Sequence, residues 1–126
     1  MRFENWEKPI IEHNKPTKWN WIVAYPEKLK MGNNIDIGAF TYIQAEEGVI
    51  IEDDVQIGGG CKIYSASTID LKWGKVLLKK GCRIGANSVI MPGVKIGENA
   101  IVGALSFVNR NVPDDETWAG CPAKRI

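Results

Sequence analysis

Residues 82–108 read CRIGAN SVIMPG VKIGEN AIVGAL SFV, and cut into sixes they place Ile84, Ile90, Ile96, Val102 and Val108 at one position of a repeat. Cys82, Ser88, Val94, Ala100 and Ser106 stand two residues earlier, and Gly85, Gly97 and Gly103 directly follow three of the aliphatic residues. A strand alternates with period two and a helix with period 3.6, so neither accounts for a glycine-marked period of six. Such a period describes a short strand and a turn, repeated.

Working upstream, the aliphatic position is filled by Met31, Ile37 and Ile43, then after an insertion by Ile51, Ile57, Ile63 and Ile69, then after a second insertion by Leu78 and Ile84. The position two residues earlier is mostly small or β-branched, as suits an inward side chain beside a corner. Asn34, Asp54, Gly60, Asn87, Gly93 and Asn99 follow three residues after the aliphatic position and tolerate positive φ in a turn. Three sides of six residues make one coil, and coils stacked about 4.8 Å apart pair as parallel sheets. The expectation is an all-β, single-stranded parallel β-helix of about four triangular coils over residues 29–126. Residues 1–28 do not repeat. Pro9, Pro16 and Pro26 oppose a long helix there, and Trp6, Trp19 and Trp21 suit a cap that covers the open end of the stack.

Sorted by threes, the repeat puts Met31, Ile51, Ile69, Ile90 and Val108 on one face, Ile37, Ile57, Leu78 and Ile96 on a second, and Ile43, Ile63, Ile84 and Val102 on a third. On this sorting Gln44, Tyr64, Gly85 and Gly103 share one corner, where residues 45–48 also leave the coil, and residues 70–75 leave from the next corner.

The chain has 126 residues and a formal net charge of +1, with charges of both signs interspersed, which gives no reason to expect nucleic acid or an anionic membrane as partner. No stretch approaches eighteen apolar residues, so no membrane insertion is expected. Residues 1–10 contain Glu4, Glu7, Lys8 and Pro9 where a signal peptide needs an apolar centre, so a cytoplasmic location is expected. Cys61, Cys82 and Cys121 are odd in number and have no metal-ligand spacing, which favours reduced thiols and no metal.

The repeat resembles the hexapeptide repeat of left-handed parallel β-helix proteins, above all the bacterial acyltransferases that use acetyl-coenzyme A. The tail Ala119-Gly120-Cys121-Pro122-Ala123-Lys124-Arg125-Ile126 is similar to the closing A-G-x-P-A-K-x-I signature of that family. The resemblance implies a left-handed coil, a homotrimer with sites between subunits, and acetyl-CoA lying along small corner residues with basic tail residues near its phosphates. Carried onto this chain, the cofactor-binding residues are Gly85, Ala86, Gly103, Ala104, Lys124 and Arg125. Many sugar acetyltransferases of this kind have a histidine after an I-Y-T-A run. Here the run is Ile63-Tyr64-Ser65-Ala66-Ser67-Thr68, and Thr68 stands in the place of that histidine.

Two groups are therefore candidates for catalytic base: His13, the only histidine, if the cap reaches a neighbour's groove, and Asp70, which begins the second insertion. Tyr42, Gln44, Tyr64 and Trp73 offer rings and an amide for a sugar acceptor. The expected function is acetyl transfer from acetyl-CoA to a sugar or nucleotide-linked amino sugar of surface-polysaccharide synthesis. N-acetylation is favoured over O-acetylation, because a neutral amine needs orientation more than a strong base. The alternative is a catalytically inactive β-helix that serves as a binding or scaffold subunit. A zinc carbonic anhydrase on the same fold would need about three histidines, which excludes it.

Overall fold

Each six-residue unit forms a two- or three-residue strand and turns a corner, and in the computed structural model, which describes residues 4–126, these strands build three sheets around a left-handed parallel β-helix. Face 1 stacks Ile22–Ala24, Tyr42–Gln44, Lys62–Tyr64, Val89–Ile90 and Phe107–Val108. Face 2 stacks Leu29–Met31, Val49–Ile51, Val76–Leu78 and Lys95–Ile96, continued by a bridge from Ile96 to Val112. Face 3 stacks Asp36–Ile37, Gln56–Ile57, Arg83–Ile84, Ile101–Val102 and Thr117–Gly120, and the tail strand Ala123–Arg125 folds back antiparallel on the last of these.

The prism thus has about five turns rather than about four. The extra rungs are Val23, paired with Ile43, and Trp118, paired with Val102. Neither belongs to a glycine-marked hexad, so the repeat alone does not show them. Pairing at Ile22–Ala24 also starts the coil upstream of residue 29.

One rung assignment is corrected. Ile69 is 95% exposed and lies at the tip of a hairpin in which Ala66–Ser67 pairs antiparallel with Lys72–Trp73. Ser67 and Ile69 have the spacing of a rung, but their backbone pairs within the insertion instead of with a neighbouring coil. The next rung of face 2 after Ile51 is Leu78, through Val76↔Val49 and Leu78↔Ile51. Every later rung moves by one face: Ile84 and Val102 join Ile37 and Ile57, whereas Ile90 and Val108 join Ile43 and Ile63.

The aliphatic column is the core. Ile43, Ile51, Ile63, Leu78, Ile90 and Ile96 are fully buried, and each contributes about 1.5–3 kcal/mol relative to exposure. Both ends are closed by tryptophan. Trp21 is buried, the Trp6 indole N–H donates at 2.9 Å to the O of Ile35, just before the first strand of face 3, and Trp118 covers the last coil. The Trp6 bond satisfies a carbonyl that has no preceding coil to accept from, which is what an edge strand requires.

Burial pushes the Cys82 thiol up to about 12 and raises that of Cys61, while Cys121 is exposed. The thiolate is the reactive species, so raised values suppress reaction at neutral pH. Iodoacetamide is expected to label Cys121 alone in the native protein and all three cysteines in denaturant, read by intact mass. Native labelling of Cys82 would contradict its place inside the coil.

Candidate functional site

The corner between face 3 and face 1 is built from four stacked segments: Gly38-Ala39-Phe40, Gly58-Gly59-Gly60, Gly85-Ala86-Asn87 and Gly103-Ala104-Leu105. The coils approach so closely that a Cβ on Gly58 would lie 2.6 Å from Ala86 N, and one on Gly85 would lie 2.4 Å from Ala104 N. Axial bonds run up this corner, Asn87 N to Gly59 O and Leu105 N to Ala86 O, each 2.9 Å. From inside the prism, Thr41 Oγ1 donates to Gly58 O at 2.9 Å and Ser88 Oγ to Gly103 O at 3.0 Å. Small hydroxyl residues at the inward position therefore satisfy glycine carbonyls from within and leave the outside of the corner bare.

Among the described residues, the main-chain N–H groups of Ala86 and Ala104 donate to no protein acceptor, and no donor reaches the Ala104 carbonyl. Ala86 and Ala104 are one coil apart, as the pairs Arg83↔Ile101 and Ile84↔Val102 require. An open groove runs beside them over the outer side of face 3, lined by Asp36, Gln56, Arg83 and Ile101 together with Gly58, Gly85, Gly103 and Ala104. Asp36, Gln56 and Arg83 were not selected from the sequence. Their signal was the outward position that directly precedes each aliphatic rung.

The tail closes the C-terminal end of the same sheet. Lys124 pairs across from Ala119 and Arg125 from Trp118, and Arg125 Nε lies 3.7 Å from Glu116 Oε1. Ala119 stands directly over Gly103, where an added Cβ would come within 2.9 Å of the alanine methyl. Lys124 and Arg125 therefore sit at the end of the sheet that carries both glycine–alanine pairs. They are exposed cations, one shared with a carboxylate.

Tyr42, Gln44 and Tyr64 lie on adjacent strands of face 1, with Gln44 paired to Tyr64 and the two phenol rings 6.1 Å apart. Burial, reinforced by the neighbouring phenols of Tyr64 and Tyr25, holds Tyr42 above the usual tyrosine range, so it stays a neutral hydroxyl. The Gln44 amide is used internally. Its Oε1 accepts from Glu46 N at 3.2 Å and lies 2.9 Å from the buried Ser65 hydroxyl, and its Nε2 donates to Glu46 at 3.0 Å. Ser65 Oγ also accepts from Glu47 N at 2.9 Å, so Gln44 and Ser65 together shape the 45–48 insertion.

Because the later rungs shift by one face, Gln44 and Tyr64 do not share a corner with Gly85 and Gly103. Both insertions leave from the corner between face 1 and face 2, whereas the glycine–alanine pairs occupy the corner between face 3 and face 1. The width of face 1 separates them within a chain, about 15–20 Å at roughly 3.3 Å per residue.

The two candidate bases also lie on different elements. His13 bridges Val23 at the N-terminal end of face 1, where its Nδ1 accepts Tyr25 N–H at 3.0 Å and its Nε2 is 2.9 Å from the Asn14 amide. With Nδ1 accepting, the neutral ring carries its proton on Nε2, which bonds Asn14 when the amide turns its oxygen to it, and no lone pair is left for a substrate. Asp70 is at the tip of the exposed hairpin, and its Oδ2 accepts the Ser67 hydroxyl at 2.6 Å. Trp73, on the returning strand, is 54% exposed. No group of three or more histidine, cysteine or acidic side chains suited to a metal occurs among the described residues, and none of their helices is long and apolar enough to cross a membrane.

Residues 75–110 match the model described as bacterial transferase hexapeptide (six repeats), and the chain is similar to hexapeptide-repeat acetyltransferases. It is 36% identical over 104 residues to a putative acetyltransferase, YvoF, of Bacillus subtilis, covering 82% of this chain and 50% of that protein. Over 52 residues it is 52% identical to dTDP-3-amino-3,6-dideoxy-alpha-D-galactopyranose 3-N-acetyltransferase of Aneurinibacillus thermoaerophilus, covering 41% of this chain and 27% of that one. A solved hexapeptide-repeat acetyltransferase of Vibrio cholerae, complexed with acetyl-coenzyme A, superposes with a TM-score of 0.79 at 26% identity, covering 84% of this chain and 63% of that one. The chain spans half or less of the length of these two curated relatives.

Proposed function

We propose that the chain is an acetyl-CoA-dependent acyltransferase that acetylates a sugar or nucleotide-linked amino sugar, with N-acetylation favoured. The observation that carries this reading is the bare corner at Gly85-Ala86 and Gly103-Ala104, whose free N–H groups and open carbonyl match the amides of a pantetheine arm. Acetyl-CoA fits the residues present. Its arm would be held by Ala86 and Ala104 at the corner, with Lys124 and Arg125 at the end of the sheet suited to its phosphates. The acetyl-CoA complex of the Vibrio cholerae relative and the amino-sugar substrate named for the Aneurinibacillus relative support the same assignment.

The acceptor amine attacks the thioester carbonyl, a C–N bond forms, the C–S bond breaks, and the amine proton passes by way of the Asp70 carboxylate to the departing thiolate. A free N–H such as that of Ala86 steadies the negative charge on the carbonyl oxygen. The paired ring of His13 and the absence of histidine at Thr68 favour an amine acceptor over a hydroxyl, since an amine is a nucleophile without a strong base.

Because the hairpin and the glycine corner occupy different corners, a complete site forms between copies, with the hairpin of one reaching the corner of the next. Ile69 and Leu71 on the hairpin, and Phe40 and Leu105 at the glycine corner, are all more than two-thirds exposed and supply matching apolar surfaces. A head-to-tail contact of this kind closes into a ring, and a homotrimer suits a triangular prism. The chemistry fits a cytoplasmic step of surface-polysaccharide synthesis.

The test is titration calorimetry with acetyl-CoA, followed by turnover of dTDP-linked and free amino sugars read by mass spectrometry. Binding and transfer of one acetyl group are expected. No binding up to millimolar acetyl-CoA would sink the enzyme reading and leave an inactive β-helix subunit.

A further inference from the structure

Trp6, Trp19 and Trp21 cover the N-terminal end of the prism but leave an open recess there. With Met31, Ile35 and Ile37 they wall a cavity of about 270 Å³, and Asn5, Glu7, Lys18 and Asp36 stand around it. The recess is open to solvent, so its lining rather than its volume sets what it can hold.

We propose that this cavity is a saccharide subsite that takes one pyranose ring. Indole faces suit the C–H face of a sugar, and a carboxylate, an amide and an ammonium around the rim suit its hydroxyls. Trp21 is buried and forms the floor, whereas Trp19 is 38% exposed and forms an accessible wall. Trp6 is fixed by its bond to Ile35 O. Lys18 lies 4.8 Å from the centre of the Trp19 ring and is paired with Glu7, which leaves no unpaired cation among the described residues at the rim to favour a phosphate over neutral hydroxyls.

The place of the cavity gives it a role. Asp36 lines both the cavity and the groove over face 3. Ile37 and Val102 are three strand spacings apart on face 3, about 14 Å. A sugar in the cavity is therefore set back along the groove from the Gly103-Ala104 pair, where a second unit of the acceptor would sit while the first is acetylated. That role rests on the acyltransfer reading above; sugar binding in the cavity does not.

The test uses the full chain without coenzyme A. N-acetylglucosamine, methyl α-galactoside and maltotriose are titrated while tryptophan fluorescence and proton NMR saturation transfer are recorded. At least one is expected to bind in the millimolar range and to change indole emission. Trp19→Ala and Lys18→Ala are each expected to weaken that binding at least tenfold, with the far-UV circular dichroism spectrum and acetyl-CoA affinity unchanged. No binding of the three sugars at tens of millimolar, binding indifferent to both variants, or thymidine binding in place of sugar would overturn the proposal. Failure of acetyl-CoA to bind while a sugar still binds would count against the acyltransfer reading only.

Discussion

Gly85→Ala is expected to destabilise the protein by about 3 kcal/mol or more, a large share of the roughly 5–15 kcal/mol of a domain this size. The added methyl would lie 2.4 Å from Ala104 N, 2.7 Å from Ala104 Cα and 2.8 Å from Gly103 C. All three are backbone atoms of the next coil, so no side chain can swing aside. Nor can the coil move alone, because Gly85 N bonds Val102 O at 2.8 Å and Leu105 N bonds Ala86 O at 2.9 Å on either side of the contact. Gly93→Ala is the control. Its Cβ would meet nothing within 4 Å, but its φ of +81° is costly for an L side chain, at about 1–2 kcal/mol. Urea unfolding of the two variants separates a steric requirement from a conformational one. Equal midpoints would mean that the corners do not stack as closely as described, and the bare wall proposed for acetyl-CoA would be lost with them.

The close stacking of the corners is suggested in residues 82–108 by the glycines that directly follow three of the five aliphatic rungs, Gly85, Gly97 and Gly103. The faces were less legible. The hexad register counts aliphatic residues and does not ask what their backbone pairs with, so Ile69 passed as a rung although its strand pairs within a hairpin. One such error rotates everything downstream by a third of a turn. It had put Tyr64 and Gly85 at one corner, whereas the structure puts them at opposite edges of face 1. Val23 and Trp118 were missed as rungs because packing against the neighbouring coil, rather than a glycine turn, keeps them in register. The bulk of Trp6, Trp19 and Trp21 suits a cover for the open end, but a recess among them depends on how three large rings meet, which no spacing in the sequence encodes.

Asp70→Asn is expected to lower kcat/KM for the amine acceptor by about 10²–10⁴-fold at neutral pH, with the affinity for acetyl-CoA unchanged. The substitution keeps the shape of the side chain and an oxygen to accept the Ser67 hydroxyl, which now bonds Oδ2 at 2.6 Å, and removes only the ability to take a proton. Asp70 earns this role by position. The hairpin tip between Thr68 and Leu71 carries it outward between Ile69 and Leu71, which are 95% and 74% exposed, so docking those two residues on a neighbour carries the carboxylate toward the glycine corner. His13→Ala supplies the contrast. With both ring nitrogens held by Tyr25 and Asn14, its removal is expected to change kcat by no more than about threefold, though it loosens the edge of face 1. A separate charge variant, Ile69→Asp combined with Leu71→Asp, is expected to reduce activity together with the mass of the assembly in light scattering, whereas Asp70→Asn leaves that mass intact. If Asp70→Asn and His13→Ala both retain full turnover, neither side chain moves the proton. Orientation of a neutral amine beside the thioester would then carry the reaction.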